Sequence, residues 1–221
     1  DTPMIEFMVN RLKRCKSIDD IVVATTTNSK DDKLVLHLEK KGIKYHRGSE
    51  DNVLERVLHT AEINNADIIV ELHGDNPLMD PVLVDKMVNK FKNLNVDYLS
   101  NTTLMNSYPR GSDIQVFWTK CLRKTYETTS DLDDLEHVSL FIYNNPDIFK
   151  LAKMDEPGPD IDGTIRLSVD YVEDFNLINK IVDYIGDDCT LEEISTFLNK
   201  NKNIRKINEH VVVNYINDNT R

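Results

Sequence analysis

Two aspartates carry the clearest chemical signal in this sequence, each at the carboxyl end of an apolar run. Asp75 lies in Glu71-Leu-His-Gly-Asp-Asn-Pro-Leu-Met-Asp-Pro81, where the run ADIIVEL gives way to Gly74 and then to two prolines that bracket a helix start. Asp170 ends Ile165-Arg-Leu-Ser-Val-Asp170, with Glu173 and Asp174 in the first turn of the helix behind it. In open α/β sheets the crevice outside the strand carboxyl ends is where ligands bind, and Gly74 lets a ligand approach the backbone closely. Singly, each aspartate also reads as a helix cap. As a pair on one rim they are the protein half of a Mg²⁺ site, because that ion takes one or two carboxylates and completes its octahedron with water and substrate phosphates.

Two polar loops could supply further contacts. In Tyr45-His-Arg47-Gly-Ser49-Glu-Asp51-Asn52, Arg47 suits bidentate binding of a phosphate or carboxylate, and Ser49, Asp51 or Asn52 could cap a helix or bond a ribose hydroxyl. Tyr108-Pro-Arg110-Gly-Ser-Asp113 is a turn offering a cation and an anion to a polar substrate. The plain readings are a capped loop and an ordinary turn. His137, beside Glu136 at the end of the acid-rich stretch 127–136, is the histidine to watch; its plain reading is a satisfied structural residue.

Other signals fail on spacing. Gly158 and Gly163 stand as in a phosphate loop, but Thr164-Ile165 replaces the Lys-Ser/Thr that would touch phosphate and metal. Asp131-Leu-Asp133 and Asp160-Ile-Asp162 do not end apolar strands. No pair of histidines has zinc-ligand spacing, and Cys15, Cys121 and Cys189 lie too far apart for a metal clip or redox pair.

Composition sets the outer bounds. The 221 residues carry 27 Lys+Arg against 38 Asp+Glu, a net charge of −11, which argues against nucleic-acid binding through a basic face. No window nears roughly 18 uninterrupted apolar residues, so no membrane span is expected. With reduced cysteines, this makes a cytoplasmic protein the expectation. Seven glycines, no two closer than five positions, leave no room in these residues for a glycine-rich phosphate cradle.

The elements that must position these groups follow from periodicity. Residues 3–15 form an amphipathic helix with Thr2 as N-cap and Pro3 at the first position. The β-branched run 21–26 is a buried parallel strand. Helix 30–41, stopped by Gly42, strand 43–46, helix 52–64, strand 66–72, helix 81–92 and strand 96–99 follow. Strand 114–118 leads into helix 119–129. Strands at 149–153 and 164–169, helices at 172–185 and 191–199, and a last strand or ordered tail at 211–216 complete the reading. This alternation predicts one α/β domain over residues 1–221, a mostly parallel sheet with helices on both faces. Such a sheet normally begins with a strand, so a β-strand and phosphate loop ahead of Asp1 are expected.

In order, the blocks PMIEFMVNRLKRCKSIDDIVVATTTN, HRGSEDNVLERV, ADIIVELHGDNPLMDP, DYLSN…YPRGSDIQVF, LEHVSLFI and RLSVDYVEDF resemble the cytidylyltransferases of the spore-coat polysaccharide type, relatives of the CMP-sialic acid and CMP-Kdo synthetases. The resemblance spans residues 3–200 and lies in the ordered set of blocks. It implies a nucleotide-diphospho-sugar transferase fold and a Mg²⁺-dependent transfer of CMP from CTP to an acidic nonulosonic-type sugar, with pyrophosphate release. Carried over by position, Asp75 and Asp170 become the metal-binding, catalytic aspartates. Ala24, Thr25, Thr26, Arg47, Ser49, Asn52 and Gly74 fall around nucleotide, while Arg110, Asp113, Glu136 and His137 fall at the sugar pocket. The resemblance also implies a homodimer through residues 98–135. The rival readings are a relative using another NTP and a sugar 1-phosphate, and a non-catalytic nucleotide-sugar binding or scaffold protein of the same fold.

Overall fold

In the computed structural model, which describes residues 2–102 and 107–211, strands and helices alternate along the chain. Helix α1 (Met4–Leu12) buries Met8, Val9 and Leu12 on one stripe; Pro3, not Thr2, is its N-cap, and it stops at Leu12 instead of Cys15. Strands β1 (Val22–Thr26) and β2 (Lys44–Gly48) pair in parallel, as a crossover connection requires. That crossover is helix α2 (Asp32–Lys41), which ends at Gly42 with φ 63° in the left-handed region glycine tolerates. Helix α3 (Val53–Ile63) is capped by Asn52, whose Oδ1 accepts from the Glu55 amide at 2.9 Å.

Strand β3 (Ile68–Glu71) is followed by helix α4 (Pro81–Asn93), which is capped by Asp80 and has proline in its first turn. Then come β4 (Tyr98–Ser100) and β5 (Gln115–Trp118), helices α5 (Thr119–Thr128), α6 (Leu132–Glu136) and α7 (Leu140–Asn144), and β6 (Leu151–Lys153). Helices α8 (Val172–Ile185), α9 (Leu191–Lys200) and α10 (Lys202–Arg205) end the described chain.

The larger sheet has the order β3-β5-β4-β6. The expected α/β layering holds, with one difference of direction: β5 is antiparallel to both β3 and β4, while β4 and β6 are parallel. Among the described residues no helix lies between β4 and its neighbour β5, and a return without a helical crossover is antiparallel. Alternate residues of each strand enter opposite cores. Ile69, Tyr98 and Phe117 pack with Leu54 and Leu58 of α3 and Leu122 of α5. Leu99 and Val116 pack on the other face with Met87 and Phe91 of α4, Ile178 of α8 and Ile194 of α9. Each fully buried apolar side chain of this size contributes about 1.5–3 kcal/mol.

One further expectation is corrected. Residues 164–169 do not form a ladder strand; they meet the 107–113 turn through one isolated parallel bridge, Arg110 with Arg166. Proline at 109 and Gly111, with φ 92°, turn the partner segment away before a second rung forms. Helices α6, α7 and α10 were not expected, because segments of four or five residues have no readable period. The strand or tail proposed at 211–216 lies, beyond Val211, outside the described residues.

One buried cation ties the start of the chain to its end. Arg11, 2% exposed, donates to the carbonyls of Leu78 (3.3 Å), Met79 (3.2 Å), Cys189 (2.8 Å) and Asp187. It links α1, the loop entering α4 and the turn between α8 and α9.

Candidate active site

Three segments converge to bring Asp75 and Asp170 to one rim. The Val169 amide donates to the Asp75 carbonyl at 2.8 Å, and the Leu167 amide to the Arg110 carbonyl at 2.7 Å. Gly111 fits tightly here: a Cβ on it would lie 2.4 Å from the Ser168 nitrogen. Neither aspartate is the helix cap of its plain reading. Asp80 caps α4, and the residue bonding the amides at the entry to α8 is Asp174, whose Oδ2 accepts from Asp170 at 3.1 Å and Tyr171 at 3.0 Å.

The two carboxylates sit in different environments. Asp75 is half-buried, with Oδ1 sealed and without a hydrogen-bond partner among the described residues. Burial, first, and the charge of Asp170 push its carboxyl above the usual range, while His73 pulls the other way. Asp170 is held in a cationic frame: Arg166 donates to its Oδ2, Ser168 Oγ lies at 3.5 Å, and the Arg110 guanidinium stands 4.0 Å away. Arg166 is itself pinned by Asp174, with Nε to Oδ1 at 3.0 Å and NH2 to Oδ2 at 3.2 Å. Burial opposes ionisation of Asp174. The hydrogen bonds from Arg166, Asn208 and two backbone amides outweigh it and hold that carboxyl low.

The other sequence candidates divide into two groups. Ala24, Gly74, Glu136 and His137 line one cleft of about 1000 Å³ between β1 and β3. Thr25, Thr26 and Arg47 at the carboxyl ends of β1 and β2, with Ser49 and Asn52 in the turn that follows, are bonded to their own neighbours. Asp31 Oδ2 accepts from Thr25 Oγ1 (2.7 Å), Thr26 Oγ1 (2.6 Å) and the Thr26 amide (3.0 Å). Arg47 donates to the carbonyls of Thr26 (2.8 Å) and Asn28 (3.0 Å) and pairs with Asp32 at 2.8 Å. Ser49 Oγ accepts from the Asn52 amide at 3.0 Å. Asp113 braces its own turn, accepting from the Gly111 amide at 2.9 Å. Arg110 joins the aspartate rim and donates to Ser168 Oγ at 3.3 Å.

Sequence reasoning passed over Arg166 and Glu71. Glu71 is the one charged residue of β3, which was the available signal. Its Oε2 is sealed and unpartnered among the described residues; burial raises the carboxyl to about 7 against the pull of His73. For a metal, no cluster of three or more His, Cys, Asp or Glu exists among the described residues. Two carboxylates with one orphaned buried oxygen do exist, the donor set that suits Mg²⁺ shared with phosphates. No described helix is long and apolar enough to cross a membrane.

The layered α/β architecture, with its site at strand carboxyl ends, is the nucleotide-diphospho-sugar transferase fold. A cytidylyltransferase from Leptospira borgpetersenii serovar Hardjo-bovis shares it at TM-score 0.86 and 30% identity, over 93% of this chain and 87% of that one. The sequence model of the cytidylyltransferase family matches residues 1–199, and the chain belongs to that family. An uncharacterized protein of Methanocaldococcus jannaschii is 35% identical over 214 residues, 96% of this chain and 86% of its own. The spore coat polysaccharide biosynthesis protein SpsF of Bacillus subtilis is 30% identical over 205 residues, 90% of this chain and 84% of its own.

Proposed function

We propose that this cytidylyltransferase passes CMP from CTP to a hydroxyl of an acidic, nonulosonic-type sugar in polysaccharide biosynthesis. The observation that carries the reading is the rim itself: the Val169–Asp75 backbone bond holds the Asp75 and Asp170 carboxylates and Arg110 beside one another. The acceptor oxygen attacks the α-phosphorus of CTP and a new P–O bond forms. The bond from that phosphorus to the oxygen bridging toward the β-phosphate breaks, pyrophosphate departs, and the hydroxyl proton passes to water.

Asp75 and Asp170 are the residues that would hold Mg²⁺, and the unpartnered Oδ1 of Asp75 fits that role. When bound, the ion offsets phosphate charge and makes the attacking hydroxyl more acidic. Arg110 is placed to pair with the carboxylate of an acidic acceptor, a charge-assisted contact, and Arg166 keeps Asp170 aimed at the rim. Glu136 and His137 form the sugar-side wall, and Gly74 lies on the nucleotide side. The segments holding Thr25, Thr26, Arg47, Ser49 and Asn52 shape the nucleotide side through their fixed backbone, since their side chains are engaged by Asp31, Asp32 and main-chain groups. Orienting two reactants in this way supplies much of the rate in a bimolecular transfer. A homodimer through residues 98–135 belongs to the same reading.

The test is pyrophosphate release by the complete protein, crossing the four NTPs with acidic sugars and sugar 1-phosphates. Release with CTP and an acidic sugar, abolished in Asp75→Ala, is expected. Release only with another NTP and a sugar 1-phosphate overturns the choice of donor and acceptor. No release with any pair overturns the enzymatic reading.

A further inference from the structure

Residues 164–169 carry Asp170 to the rim, and among the described residues their only β-bridge is that of Arg166 with Arg110. The last described residues grip the same segment. Arg205 of α10 donates to Asp162 Oδ2 at 2.6 Å and to Thr164 Oγ1 at 2.5 Å, and Ile204 and Ile207 pack against the core. Asn208 follows, 3% exposed. Its Nδ2 donates to Asp174 Oδ1 at 2.8 Å and to the Arg166 carbonyl at 3.1 Å. A carbonyl and an ionised carboxylate only accept, so the nitrogen of the amide faces them and gives one hydrogen to each.

We propose that Asn208 is a positioning residue for the transfer, fixing the direction of the Asp170 carboxylate through Asp174 and Arg166. The inference rests on the reading of Asp170 as part of the reacting site. Asp174 is the pivot. Its Oδ1 accepts from Asn208 and from Arg166 Nε, while Oδ2 accepts from Arg166 Nη2 and from the Asp170 and Tyr171 amides. Arg166 then donates to Asp170 Oδ2. Without Asn208, Oδ1 keeps a single donor among the described residues. The carboxylate is then held less firmly against rotation, and the guanidinium that aims Asp170 moves with it. Enclosed polar networks respond as a unit in this way. Residue type matters as much as place: serine or threonine offers one donor, and aspartate would set a second carboxylate against Asp174. Asn208 lies past residue 199, where the family match ends.

The test compares Asn208→Ala with Val211→Ala in the complete protein, Val211 being a buried apolar residue of the same segment. In Asn208→Ala, kcat per folded molecule for pyrophosphate release should fall on the order of tenfold, while KM for CTP and for the acceptor stays within about twofold. In Val211→Ala any loss should follow the folded fraction alone. Side-chain NMR without metal or nucleotide reads the linkage directly. In Asn208→Ala the carboxyl resonance of Asp170 should move and the Arg166 Nε–H should exchange about tenfold faster, with neither change in Val211→Ala. Asn208→Ser, which retains one donor, replaces the alanine variant if that does not fold, with the same directions expected. Unmoved Asp170 and Arg166 signals, or an activity loss that follows the folded fraction in both variants, overturns the proposal. A wild-type protein that releases no pyrophosphate with any pair overturns the transferase reading instead, and the NMR comparison still decides whether Asn208 orients Asp170.

Discussion

The amide of Val169 donates to the carbonyl of Asp75 across 2.8 Å, joining two loops that are far apart in the chain. Because the bond runs between backbones, it sets the separation of the Asp75 and Asp170 Cα atoms without engaging either carboxylate. The origins of both side chains are fixed, while Asp75 Oδ1 keeps no partner among the described residues and Asp170 is aimed by Arg166. This division of labour is what a site needs if its geometry is to be held before the reactants arrive.

Asp75→Asn keeps the shape of the side chain and removes its charge. Pyrophosphate release should fall on the order of a hundredfold or more. Stability in urea at neutral pH should be unchanged or higher, since burial and Asp170 already disfavour the charged form of Asp75. A variant that lost activity and stability together would point to a structural aspartate instead.

The Arg166–Asp174 pair is buried, with 2% and 0% side-chain exposure. Arg166→Met leaves the Asp174 carboxylate enclosed without its cation, and should cost about 3–5 kcal/mol in urea unfolding. The double variant Arg166→Met, Asp174→Leu should recover much of that loss, because no uncompensated charge remains. Its transferase rate should stay low, since Asp170 has lost the guanidinium that aims it.

Glu71 gives a pH signature. Its folded carboxyl titrates near 7, above the usual value of about 4.3, so between those limits the native state binds more protons than the unfolded one. Stability therefore falls as pH rises from about 4.3 to 7 and then levels off. Glu71→Gln should flatten that descent and gain up to about 3 kcal/mol at pH 8, read from urea midpoints across the range.

Gly111→Ala should be damaging where Gly158→Ala is not. At Gly111 the backbone has φ 92° and a Cβ would lie 2.4 Å from the Ser168 nitrogen; at Gly158 a Cβ meets nothing within 4 Å. A loss of about 1–3 kcal/mol is expected for the first, together with a fall in transfer rate as the segment leading to Asp170 moves. Urea midpoints and pyrophosphate release measure both.

Much of this arrangement was legible in the residues. Apolar runs with β-branched residues located β1, β3 and β5, and the ends of two such runs pointed to Asp75 and Asp170. The layering on both faces followed from helices placed between strands. What escaped depends on contacts between distant segments. The Arg110–Arg166 bridge has no local pattern, so 164–169 read as a strand because Ile165, Leu167 and Val169 alternate. The direction of β5 is set by how the chain returns, which hydropathy does not encode. Thr25, Thr26 and Arg47 read as ligand groups because their types suit ligands; their actual partners, Asp31 and main-chain carbonyls, are visible only once the loops are folded.

Arg11 grips four carbonyl oxygens, those of Leu78, Met79, Asp187 and Cys189. Every residue type offers that same acceptor. The requirement imposed by this clamp therefore falls chiefly on one side: substitutions at the four gripped positions leave its carbonyl acceptors intact and lose at most the Cys189 Sγ contact at 3.9 Å, whereas a lysine in place of Arg11 lacks the planar fork that reaches them together. Across related sequences, residue identity at the hub should drift far less than identity at its spokes.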